Sequence, residues 1–158
     1  MKQFYYAFAF MAFFFTHPSI AQTPSTDEKA ILEVIDKLFI GLEKGDSTGL
    51  RTLFHSSVHL NSVIYTKNGQ IVFEDDKLID FFQQIAAPRK MPYKEQLLSK
   101  EVRIDGNLAT VWTPYKFLVD GQVVSCGTNS FTLIKLTDTW VISAVIDTRR
   151  RTGCENQK

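Results

Sequence analysis

The sequence predicts an α+β domain, with three helices in its N-terminal part packed against an antiparallel sheet. Three observations predict it. Apolar residues recur at helical spacing from Ile31 to Leu42. Asn68-Gly69 sits between two β-branched and aromatic runs, a strong short-range hairpin signal. From Tyr93 onward the chain alternates strand-like runs with tight-turn residues and shows no further helical period. Helices segregated from such a sheet must cover one of its faces, which excludes a parallel α/β layout.

The 158 residues suit one domain, and 18 Lys or Arg against 17 Asp or Glu leave a formal charge of +1. Residues 1–21 read as a signal peptide: Lys2, the twelve apolar residues Phe4 to Phe15, then Ser19 and Ala21 as small residues before cleavage. The run is too short to span a bilayer, which takes ~20 apolar residues. The expected locale is therefore periplasmic or secreted. Residues 22–26 form a linker, 27–154 the domain and 155–158 a tail. Without residues 1–21, 17 basic and 17 acidic side chains remain. That balance excludes a basic nucleic-acid binder and a polybasic membrane-surface protein. No cofactor is implied.

Ser25 caps the first helix, with Glu28 three residues on completing a capping box, and Gly45 ends it. Asp46 caps a short second helix carrying Leu50, Leu53 and Phe54. A hairpin spans Val58 to Phe73. Asp75 or Asp76 caps a third helix with Leu78, Ile79, Phe82 and Ile85 inward, stopped by Pro88. Strands follow at about 94–104, 108–119, 122–136 and 139–149, separated by Asp105-Gly106-Asn107, Asp120-Gly121 and Thr137-Asp138.

The turns set an expected register. They pair Trp112 with Asn129, Tyr115 with Cys126, Asn129 with Ile146 and Thr128 with Asp147, unless a bulge slips them. Trp112, Phe131, Leu133, Ile142 and Ile146 would then face the helices. Tyr115, Thr128, Asp147 and Arg149 would face away. That second face, Thr-rich with aromatics and few central charges, suits a subunit interface, against the plainer alternative of an exposed sheet.

VRIDGNLATVWTPYKFLVDG, CGTNSFTLIK and WVISAVIDTRRRTGC resemble the exported, lumazine-binding-like subgroup of the nuclear transport factor 2 superfamily, also called SnoaL-like. The shared features fall on Trp112, Cys126-Gly127, Asp147 to Arg150 and Cys154, and the resemblance covers about residues 27–154. It implies a cystatin-like cone: a bent sheet closed around helices, an apolar pocket at the open end and dimerisation through the sheet. Some members are enzymes with an acidic base in the pocket.

The segment from Phe54 to Ser62, where that base is often found, holds no carboxylate. His55 or His59 could serve as base, or lie outside the pocket as a turn and a half-exposed strand residue. Trp112 and Asn129 are expected ligand contacts, with Tyr65 and His59 behind them; Asn129 could instead only satisfy the Trp112 N–H. Asp147 and Arg149 share a face, as a clamp at the pocket mouth or as a plain ion pair. Arg149-Arg150-Arg151 could bind an anion or end a strand in solvent. Cys126 and Cys154 could form a disulfide or stay as separate thiols, and the histidines and cysteines are too few and scattered for a metal site.

The reading that results is a domain binding a small apolar or aromatic molecule and forming a homodimer. Two alternatives stand: an isomerase or cyclase with a histidine base, and an interaction module with a filled core.

Overall fold

The computed structural model describes residues 24–157; the expected signal peptide lies outside them. Helix α1 runs over Thr26–Lys44. The Ser25 hydroxyl accepts the Glu28 N–H at 3.1 Å, and Gly45 closes the helix in the left-handed conformation at φ 72°. Helix α2, Ser47–Leu50, follows Asp46, whose carboxylate accepts the Gly49 N–H at 2.8 Å. A 3-10 turn over Arg51–Leu53 leads into the sheet.

Strands β1 (Phe54–Tyr65) and β2 (Ile71–Asp76) form the expected hairpin. Helix α3 spans Leu78–Ala86, but Lys77 occupies its cap position without a side-chain bond, because Asp75 and Asp76 are spent in β2. Strands β3 (Tyr93–Leu97), β4 (Glu101–Asp105), β5 (Leu108–Val119), β6 (Gln122–Leu136) and β7 (Thr139–Arg150) complete the sheet. The single strand expected over 94–104 is thus two strands that both pair with β5.

The sheet order is β2-β1-β7-β6-β5-β3, with β4 also on β5. Every pairing is antiparallel except β1 with β7, which is parallel and brings the N-terminal hairpin beside the last strand. That one crossover places Ser62 next to Asp147.

Two bulges alter the expected register. At the tip of the β5–β6 hairpin Val119 pairs with Gln122, as the turn dictates. An irregularity at Phe117/Leu118 then shifts the rest by one, pairing Trp112 with Ser130, Thr113 with Asn129 and Tyr115 with Gly127. The β6–β7 hairpin slips likewise between Thr132 and Leu133, so Asn129 pairs with Asp147 and Ser130 with Ile146. A one-residue slip exchanges the faces of a strand. Val111, Thr113, Tyr115 and Asp147 therefore turn inward, while Trp112 and Ile146 turn outward, the reverse of the expected orientation. Asn129, Phe131, Leu133 and Ile142 face inward as expected.

The core gathers Ile31, Ile35 and Leu38 of α1, Phe82 and Ile85 of α3, and Val111, Phe131, Leu133 and Ile142 of the sheet. The Phe39 ring packs edge-on against Phe131 at 6.0 Å between centroids, and Phe54 meets Phe81 and Phe82 at 5.7 Å. At the other end of the sheet, Cys126 and Cys154 are joined in a disulfide. Closing a loop of 28 residues' separation stabilises the fold by about 3–4 kcal/mol in the chain-entropy model.

Candidate functional site

The helices do not cover the whole concave face of the sheet. Between α1, α3 and the bent sheet lies a cavity of about 680 Å³, open to solvent on one side. One part of its wall is apolar: Leu38, Phe39, Phe54, Leu60, Phe81 and Ile85. The other part is polar and is assembled from four strands. Ser62 comes from β1, Glu95 from β3, Tyr115 from β5, Asn129 from β6, and Asp147 and Arg149 from β7.

These groups form two connected sets. In the first, the Asp147 carboxylate accepts from the Ser62 hydroxyl and, at 3.2 Å, from the Tyr115 hydroxyl. The Tyr115 hydroxyl also lies 3.0 Å from the Thr148 carbonyl, and Arg149 reaches Ser62 at 3.4 Å and Asp147 at 3.5 Å. Ser62, Tyr115 and Asp147 are all buried, so each needs these partners. Burial, with the negative charges of Asp147 and Glu95 adding to it, raises the Tyr115 hydroxyl well above the usual phenol range. Tyr115 is thus a neutral hydrogen-bonding group.

In the second set, the Asn129 side-chain amide donates to Glu95 at 2.7 Å. Glu95 has no basic partner within ion-pair distance among the described residues. Burial pushes its carboxyl up to about 7; the Asn129 bond opposes that shift, and the Asp147 charge reinforces it. A carboxyl titrating near neutrality inside a cavity can hold, give or take a proton.

Local sequence explains the placement. Gly127 stands opposite Tyr115, and a Cβ there would come within 1.7 Å of the Thr148 carbonyl and 2.9 Å of the Tyr115 ring. Only glycine lets that ring lie across β6 and reach β7. Tyr93, two residues before Glu95, is held by Arg89, whose guanidinium stacks over its ring at 3.8 Å. Arg89 also donates to the carbonyls of Leu42 at 2.7 Å and Glu43 at 2.9 Å. One side chain thereby ties the C-terminal end of α1 to the start of β3. Among the described residues, no group of three or more His, Cys, Asp or Glu is placed to hold a metal ion.

Of the four residues expected to contact a ligand, the structure brings Asn129 and Tyr65 to the cavity. Trp112 and His59 are corrections. Trp112 is 52% exposed on the convex face, and exposed His59 pairs alongside Ala144 on that same face. The bulge at Val124 of β6, between the pairs Leu118–Val123 and Phe117–Ser125, accounts for Trp112. A histidine base in the cavity loses its geometric ground, since neither His55 nor His59 lines it. Asp147 and Arg149, read from the sequence as a clamp at the pocket mouth or a plain ion pair, lie 3.5 Å apart on the cavity wall, and Glu95, Tyr115 and Ser62 join them there without having been singled out. The expected register turns Asp147 and Tyr115 outward, and the resemblance points to β1 for an acidic base, whereas Glu95 lies on β3.

Solved structures share this architecture. An NTF2-like protein of unknown function from Shewanella baltica superposes with a TM-score of 0.62 at 21% identity, covering 82% of this chain and 98% of that one. A protein with a cystatin-like fold from Nostoc punctiforme gives 0.62 at 12% identity, over 83% and 97%. A structure described as a putative dehydratase of the NTF2-like family, from Streptomyces avermitilis, gives 0.61 at 15% identity, over 81% and 99%. No curated protein matches the chain. A family model described as "Putative lumazine-binding" matches residues 26–145, and the chain belongs to that family, within the NTF2-like, cystatin-like fold.

Proposed function

We propose that this domain binds a small, largely apolar molecule in the concave cavity, works outside the cytoplasm and pairs as a homodimer through the convex face of its sheet. The observation that carries the binding reading is the cavity itself: about 680 Å³, with apolar walls and a few convergent polar groups at one end. A filled-core interaction module would not retain such a space. The family description favours a small-molecule ligand as well. Export is supported by the composition of residues 1–21 and by the Cys126–Cys154 disulfide, a bond that persists in oxidising compartments.

The dimer reading rests on side chains that the register places together on the convex face. Leu108, Trp112 and Ile146 are about half exposed there, and Ile71 and Phe73 of β2 lie on the same side. Between them stand Ser130, Thr132, Thr128 and Thr148, and the exposed Glu101–Arg103 ion pair of β4 borders Trp112. Several large apolar side chains left exposed on one sheet face support an interaction site there.

Native mass spectrometry of the purified protein tests both parts. A dimer mass, carrying an adduct that is absent from a cavity-filling Leu42→Trp variant, supports them. An adduct-free monomer contradicts them.

One observation favours a second reading, a proton-transferring enzyme. The base would be Glu95, held near pH 7 inside the cavity, instead of a histidine. Its test is isotope exchange. A cavity-bound ketone would exchange its α-protons with D2O in the native protein and not in Glu95→Gln.

A further inference from the structure

The polar end of the cavity carries more positive charge than its own acids use. Arg149, Arg150 and Arg151 all border it. Arg149 keeps half of its side chain exposed, and its bonds to Ser62 and Asp147 are long, at 3.4 and 3.5 Å. A guanidinium has five N–H donors, so most of them stay available. Asp147 does not depend on Arg149, because Ser62 and Tyr115 already donate to it. Arg151 is exposed just past the end of β7 and forms no ion pair among the described residues. Arg150 bonds the side chain of Gln157.

The acids bordering the cavity are Asp76, Asp147 and Glu95. Near neutral pH Glu95 is only partly ionised, so it offsets less than one of the three cations. The arginines are also held in place. The disulfide ties Cys154 to Cys126 of β6, and the Gln157 amide donates to the Gly127 carbonyl at 2.7 Å. Residues 150–157 are thereby fastened to the sheet at both ends. Fastening them lowers the entropy lost when the arginines order around a ligand.

We propose that Arg149, Arg150 and Arg151 form an anion-recognising end of the cavity, and that its ligand is an amphiphilic organic acid, an apolar body bearing a carboxylate. Arginine suits this task because its planar fork meets a carboxylate with two parallel hydrogen bonds. The apolar body would lie along Phe39, Leu60 and Phe81, with the head at Arg149 and Arg151. The inference rests on the cavity being a ligand site.

The experiment is calorimetry with three twelve-carbon probes: dodecanoate, dodecanol and dodecyltrimethylammonium. Dodecanoate is expected to bind at least about tenfold more tightly than dodecanol, the difference a charge-assisted hydrogen bond supports, and the cation most weakly. Arg151→Gln, at an exposed position, should weaken dodecanoate and leave dodecanol unchanged, and Arg149→Lys, which keeps the charge but loses the fork, should narrow the preference for dodecanoate over dodecanol. Raising the salt should shrink the preference for dodecanoate. Equal binding of dodecanoate and dodecanol would overturn the anion site while leaving the ligand cavity standing. Binding of none of the three would overturn both.

Discussion

One sheet presents two faces of opposite character. The concave face buries Val111, Phe131, Leu133 and Ile142, and beyond them holds Ser62, Tyr115 and Asp147 in one hydrogen-bonded set and Asn129 with Glu95 in another. The convex face exposes Trp112, Ile146 and Leu108 among serines and threonines. The apolar residues are thus divided between two uses. Side chains covered by α1 and α3 hold the fold together, and those left uncovered are available for a partner. Polar residues divide the opposite way. Ser62, Tyr115, Asp147 and Asn129 on the concave face are buried and hydrogen-bonded, so they have a fixed geometry that a ligand can read; the serines and threonines of the convex face lie nearer the surface.

Changes on either face can break or sharpen this contrast. The largest effect is expected from Phe131→Ala. Losing a fully buried ring costs about 3–5 kcal/mol, read as a lower urea midpoint. The matching change on the convex face, Trp112→Ala, should shift the monomer's stability little and instead move a sedimentation profile from dimer to monomer. Equal destabilisation by both would erase the distinction between the faces.

Gly127→Ala comes next. The added methyl has no room beside the Thr148 carbonyl, and the expected cost is about 3 kcal/mol, with Tyr115 displaced from Asp147. Near-UV circular dichroism of the tyrosines would show that displacement.

A smaller effect follows from Glu95. Its folded-state pKa of about 7 lies above the ordinary 4.5, so between those values the native state binds more protons than the unfolded chain. Stability should therefore fall as pH rises from 4.5 to 7, by an amount of order 1–3 kcal/mol, and level off above. Glu95→Gln should flatten this part of the urea-midpoint profile. An unchanged slope in the variant would assign the effect to another group.

The smallest change is expected from Thr113→Val. The Thr113 hydroxyl is fully buried and, among the described residues, has no hydrogen-bond partner. Replacing it with a methyl of similar shape should stabilise the fold by about 1 kcal/mol, read as a higher urea midpoint.

The helices were legible in the sequence because their signals are local: Ser25 with Glu28, Gly45, and the period from Ile31 to Leu42. Strand boundaries were legible from Asp120-Gly121 and Thr137-Asp138. What the sequence hid was parity. The β5–β6 and β6–β7 hairpins begin in the register their turns dictate, and a bulge in each then shifts everything beyond it by one residue. Bulges at Phe117/Leu118 and Thr132/Leu133 carry no strong local signature, yet they moved Trp112 out of the cavity and Tyr115 and Asp147 into it. The parallel contact of β1 with β7 was hidden for a different reason. It joins Ser62 to Asp147 across most of the chain, and no short-range pattern encodes it. Asn129 was placed correctly because β6 kept its expected orientation there.

The central claim, that the concave face is the ligand face, is tested most directly by methyl NMR during titration with dodecanoate. Shifts should concentrate on Leu38, Leu42, Leu60, Ile64, Ile85 and Val145, which line the cavity, while Leu108 and Ile146 of the convex face stay unmoved. Shifts confined to Leu108 and Ile146 would contradict the account.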